Sequence, residues 1–124
     1  MLDQYVRAGN AQALAVAVGI GDWVANSVER MIRRWGLAKW QGVLDTEWGG
    51  MNEALFGLYE LTGNRTHLEA ALRFNHHQWT TPLALGQDNL DGSHGNVGGN
   101  HANTHIPEVV RASSCARSAD LNSR

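Results

Sequence analysis

Apolar residues recur along most of this chain at steps of three and four, the spacing that lines one face of a helix. From Ala11 to Trp35 the set Ala17, Ile20, Val24, Val28, Met31 and Trp35 keeps that spacing, and Glu29, Arg30, Arg33 and Arg34 load the far end with mostly basic charge. The pattern predicts a long amphipathic helix whose cationic end complements the helix dipole. Gly19 and Gly21 count against an unbroken helix, because an interior glycine costs about 1 kcal/mol relative to alanine. Between Gly36 and Asp45 a short helix or turn containing Trp40 is expected, then a break at Gly49-Gly50. Met51, Ala54, Leu55, Leu58 and Thr62 form the next stripe, ended by Gly63. Its partner helix is expected from Arg65 to about His77, with Leu68, Ala71, Leu72 and Asn75 on one side. Pro82 is expected to push Thr81 out of helical geometry. After Leu83-Ala84-Leu85, residues 86 to 100 contain five glycines and three asparagines. A loop of that length in a compact domain is either functional or disordered. A last helix is expected near Thr104 as N-cap, with Pro107 in its first turn and Val109 and Val110 inward.

An internal repeat organises these elements. Tyr5-Val6-Arg7-Ala8-Gly9-Asn10, followed by Leu14 and Ala17, recurs 54 positions on (Tyr5 to Tyr59) as Tyr59-Glu60-Leu61-Thr62-Gly63-Asn64, followed by Leu68 and Ala71. Each copy reads as the last turn of one helix, a left-handed glycine that ends it, and a second helix packing back. The fold class is therefore all-α, built of helical-hairpin repeats. A third corner would fall near positions 116 to 120, where Ala116 and Asp120 stand instead. Residues 113–124 show neither apolar period nor cap signals and read as a disordered tail after one domain over 1–112.

Composition narrows the function classes. The 124 residues, 43% hydrophobic, suffice for one core, and a net charge of −2 without a basic run argues against nucleic acid and anionic membranes as partners. No apolar run approaches the roughly 18 residues of a membrane span, and Met1-Leu2-Asp3-Gln4-Tyr5 has no signal-peptide layout, so no address is visible. Cys115 is the one cysteine, which rules out an internal disulfide and leaves a thiolate zinc site short of ligands.

Two segments set glycines and polar side chains just before helix-like runs: Glu47-Trp48-Gly49-Gly50-Met51-Asn52-Glu53 and His101-Ala102-Asn103-Thr104-His105-Ile106-Pro107. Gly49 and Gly50 would let backbone approach a ligand closely, with Asn52 and Glu53 offering hydrogen bonds from the first helical turn. Glu53 also suits acid or base chemistry, although such chemistry usually needs a second group at a defined separation. The plainer alternative is an ordinary helix start, where acidic side chains favour the positive dipole end. His101 and His105 have the four-residue spacing of helical zinc ligands, but a cap at Thr104 puts His101 before the first turn, so contact with a ligand by His101 or Asn103 is the better reading. Trp40, Trp48 and Trp79 lie beside glycine, proline or polar segments, where a ring can stack on the face of a ligand. Core packing is the commoner fate of tryptophan, with Trp48 the chosen exception.

With the corner Tyr59 to Asn64, these two segments resemble the β-L-arabinofuranosidase group of glycoside hydrolase family 127 from Leu2 to about Val110. The resemblance implies an (α/α)6 toroid, of which this chain would form part. It also implies retaining hydrolysis of a terminal L-arabinofuranose by a cysteine nucleophile held at zinc. The nucleophile and zinc ligands lie later in the family's chain, so no cofactor and no catalytic residue is assigned to this one; Cys115 lies outside the matched pattern. The substrate-binding set implied here is Trp48, Gly49, Gly50, Asn52, Glu53, His101, Asn103 and Thr104, with an L-arabinofuranoside-like sugar as partner. The alternative from another class is a non-catalytic helical repeat that binds carbohydrate or serves as scaffold. A partial toroid would leave helix faces open, which makes self-association an expectation and activity alone unexpected.

Overall fold

The structure, a computed structural model, describes residues 1–45, 49–87 and 106–107. Six helices follow one another: α1 (Leu2–Ala8), α2 (Ala11–Trp35), α3 (Leu37–Val43), α4 (Met51–Thr62), α5 (Arg65–Arg73) and α6 (His77–Ala84). Among the described residues every element is helical, as the apolar spacing requires. Ile106 and Pro107 are also helical; the rest of the expected last helix, most of the glycine-rich loop and the tail lie outside the described residues.

Both copies of the repeat fold alike. Gly9 and Gly63 take left-handed φ angles of 66° and 69°, and their amides donate to the carbonyls of Tyr5 and Tyr59 at 2.8 and 2.7 Å. Asn10 then caps α2 by accepting from the Ala13 amide at 3.1 Å, and Asn64 caps α5 by accepting from the Thr66 amide at 3.0 Å. Glycine supplies a backbone conformation that a side chain disfavours, and asparagine satisfies an amide that a helix start leaves orphaned. The Gly-Asn pair thus ends one helix and begins the next, which gives hairpins α1–α2 and α4–α5.

The hairpins meet across α2. Ala17, Val24, Ala25 and Val28 are buried in one cluster with Leu55, Phe56 and Leu58 of α4 and Ala70 and Ala71 of α5. At the centre of this seam is Gly21: a Cβ built there would stand 2.5 Å from Leu58 Cδ1 and 3.1 Å from His67 Nε2. The next residue, Asp22, places Oδ1 2.8 Å from Nε2 of the fully buried His67. Gly21 therefore does not interrupt α2, which runs 25 residues; it admits the neighbouring helices.

Four expectations are corrected by these contacts. Ile20 and Trp35 are 46% and 56% exposed, because the buried face of α2 runs through Ala13, Ala17, Gly21, Val24, Ala25 and Val28 and passes both by. Leu72 is likewise exposed, and His67 takes a buried place on α5 with Ala70 and Ala71. The partner helix stops at Arg73 short of His77, since side chains of α3 capture the backbone beyond it: Trp40 Nε1–H donates to the Arg73 carbonyl at 2.6 Å and Gln41 Nε2–H to that of Asn75 at 3.0 Å. Thr81 remains helical although Pro82 follows it, because Pro82 falls near the end of an eight-residue helix, where its carbonyl accepts from Leu85 and Gln87 at 3.1 and 2.9 Å.

Gly21→Ala is expected to destabilise the fold by about 1–3 kcal/mol through overpacking, despite alanine's better helix propensity. Gly19, with nothing within 4 Å of its added Cβ, is expected to respond oppositely: Gly19→Ala gains about 0.5–1 kcal/mol. Urea unfolding of the two variants checks the opposed signs. Replacing either capping asparagine, Asn10→Ala or Asn64→Ala, should cost about 1 kcal/mol in the same assay.

Candidate functional site

At the start of α4, Gly50 of the first polar segment lies beside Pro107 of the second. Gly50 has φ 100° and ψ −25°, a left-handed turn that redirects the chain into the helix, and its carbonyl accepts from the Ala54 amide at 3.2 Å. A Cβ built on Gly50 would lie 4.0 Å from Pro107 Cβ. The glycine turn and the far end of the second segment are therefore neighbours, though more than fifty positions separate them in sequence (107 minus 50).

Two hollows flank this turn. One, of about 490 Å³, runs between α1 and α4 and is bordered by Asp3, Val6, Gly50, Glu53, Gly57 and Glu60. The other, of about 410 Å³, lies between α3 and α4 against Trp40, Leu44, Gly49, Gly50, Met51 and Phe74. Gly50 belongs to both. The first hollow brings three carboxylates to one rim, acceptors of the kind that sugar hydroxyls donate to, and α1 comes close enough to form it because Gly57 leaves room for Leu2.

The predicted site residues divide in three ways. Gly49, Gly50 and Glu53 line the hollows, and Glu53 is exposed. Asn52 is 2% exposed; its Oδ1 accepts from the Glu53 amide at 2.9 Å, so it stands behind the turn and fixes the start of the helix. Trp48, His101, Asn103 and Thr104 lie outside the described residues, as do Glu47, His105 and Cys115. Trp40 and Trp79 take the core places expected of them: Trp40 is buried with its ring edge on Phe74 (centroids 5.2 Å apart, planes at 87°), and Trp79 is 1% exposed.

Two buried histidines stand outside the predicted site set. His67 pairs with Asp22, and His76 Nε2 lies 2.9 Å from Asp45 Oδ1. A carboxylate can only accept, so Nε2–H donates in each pair. The signal for His67 was its place three and four residues before Ala70 and Ala71, on the face that buries. His76 had no comparable signal, because it sits in the link between two helices.

Zinc, which the resemblance implies for the whole family domain, finds no group of three His, Cys, Asp or Glu side chains among the described residues. Each histidine–aspartate pair supplies two candidate ligands already bonded to one another.

Comparison with known proteins supplies the family. The family described as β-L-arabinofuranosidase, GH127 catalytic domain, matches residues 1–123. No curated protein and no solved structure matches the chain. With the hairpin repeat and the glycine turn already on α4, a match over nearly the whole length leads to one conclusion: the chain belongs to the GH127 catalytic-domain family of glycoside hydrolases.

Proposed function

We propose that this chain forms one wall of the sugar pocket of a glycoside hydrolase acting on non-reducing terminal β-L-arabinofuranosides. The observation that carries the reading is the approach of Gly50 to Pro107, beside hollows that Glu53 and Gly49 border. In this reading Gly49 and Gly50 present backbone to the sugar, the Glu53 carboxylate accepts from its hydroxyls, and Asn52 holds Glu53 in register. Trp48, His101, Asn103 and Thr104 contribute to the same pocket. The two hairpins form part of an (α/α)6 toroid, and the reaction centre is not among their residues. Binding is therefore within the chain's reach and hydrolysis is not.

The open faces of such a partial ring also favour self-association. Val16, Ile20 and Trp23 stand at steps of four and three on one side of α2, and all three are exposed. Covering each large apolar side chain is worth about 1.5–3 kcal/mol, enough to matter against a whole-domain stability of about 5–15 kcal/mol.

The purified chain is expected to release no arabinose from an aryl β-L-arabinofuranoside; robust release would overturn the division between binding and reaction. Binding of methyl β-L-arabinofuranoside, followed by calorimetry, is expected to weaken about tenfold or more in Glu53→Gln, the equivalent of a hydrogen bond to a charged group. Glu29→Gln on α2 should leave it unchanged. Unaltered binding in Glu53→Gln would remove Glu53 from the pocket and favour a non-catalytic helical scaffold. Sedimentation equilibrium should show mass rising with concentration, and Trp23→Ser should reduce that rise; a strictly monomeric chain contradicts the open-face reading.

A further inference from the structure

One polar cluster outside the sugar wall is built entirely from long-range contacts. Residues 40 to 45, at the end of α3, grip residues 73 to 77, where α5 gives way to α6. Trp40 Nε1–H donates to the Arg73 carbonyl, Gln41 Nε2–H donates to the Asn75 carbonyl, and the His77 amide donates back to Gln41 Oε1 at 3.0 Å. Three of the four bonds thus end on backbone groups that the close of α5 and the start of α6 leave without intrahelical partners. The fourth differs in kind. It joins two side chains, Asp45 and His76, at 2.9 Å, with His76 1% exposed.

The location of that fourth bond gives it a second consequence. Leu44, buried at 2%, closes α3, and Asp45 follows it, four positions before Gly49 in sequence. The same end of α3, through Trp40, Val43 and Leu44, walls the hollow whose other side is Gly49, Gly50 and Met51. His76 is buried, and its backbone is held at the start of α6, where its carbonyl accepts from the Trp79 and Thr80 amides at 3.0 and 2.9 Å. Its imidazole is therefore a fixed point, and Asp45 is the residue through which the chain leaving α3 is held to it.

We propose that Asp45 and His76 are positioning residues for the sugar wall: their bond fixes where the chain leaves α3 and so sets the Gly49–Gly50 turn and the direction of Glu53. The proposal rests on the reading of Gly49 to Glu53 as a sugar-binding wall. It assigns to the pair no contact with sugar. The neighbouring backbone bonds from Trp40 and Gln41 end the helices; the Asp45–His76 bond aims the turn.

The test uses the isotope-labelled 124-residue chain with Asp45→Ala and Asp45→Asn, since asparagine keeps an oxygen that can accept from His76. In Asp45→Ala the amide resonances of Gly49, Gly50 and Glu53 are expected to move while those of α2 stay, and the Kd for methyl β-L-arabinofuranoside is expected to rise about tenfold. Asp45→Asn should restore both towards wild type. Unmoved amides at Gly49 and Gly50 in Asp45→Ala overturn the proposal, as does an Asn variant no better than Ala. A wild-type chain that binds no sugar overturns the underlying pocket reading; the amide shifts then still decide whether Asp45 aims the turn. Resonances displaced throughout α2 would make the bond a general fold contact and would likewise overturn it. His76→Gln, which keeps a donor at the buried end, gives the second variant should Asp45→Ala fail to fold, and it is expected to retain the wild-type turn.

Discussion

The seating of α2 against the α4–α5 hairpin at Gly21 is the contact on which the remaining structure depends. A Cβ at position 21 would stand 2.5 Å from Leu58 Cδ1, so Leu58 would have to give way to admit one, and the adjacent Asp22 closes the seam with a hydrogen bond to a fully buried ring. Packing of this closeness gains dispersion contacts that a looser interface would forgo. It also fixes the rotation of α2, so that Val24, Ala25 and Val28 face the core while Ile20 and Trp35 do not.

From that seat the end of the molecule that carries the proposed site is assembled by short steps. α3 follows α2 after Gly36 and its side chains hold the link between α5 and α6. α4 is bound to α5 by the glycine–asparagine corner at its far end and by the Leu55 and Leu58 contacts along its length. Its near end is then free to carry a left-handed glycine and an exposed glutamate without loss to the core. That division suits a binding wall, where rigid elements behind the site keep polar groups in register. A sugar has hydroxyls on every side, and a wall of backbone and carboxylate acceptors meets one of its faces only. The family to which the chain belongs supplies the expectation of the others.

What the sequence made legible was local. The bounds of α2 and α4 followed from apolar spacing together with the Gly-Asn corners, because both signals lie within a few residues of the elements they define. The repeat also gave the hairpins. What stayed hidden depended on partners distant in the chain. Gly21 looked like a defect until Leu58 and His67 were beside it. The break after Arg73 came from Trp40 and Gln41, more than thirty residues earlier. For the site, glycine and acidic residues before a helix pointed to α4, and core packing was the expected fate of Trp40 and Trp79, while the burial of Asn52 could be read only from packing. Asp45 and His76 carried no local pattern at all.

The central claim is that the Gly49–Glu53 turn is a sugar wall. A crystal structure of the chain grown with L-arabinose tests it most directly. The account predicts the sugar against the Gly49–Gly50 backbone, with a hydroxyl within hydrogen-bond distance of the Glu53 carboxylate and Pro107 close by. Sugar bound elsewhere on the surface, with the turn bare, would contradict it.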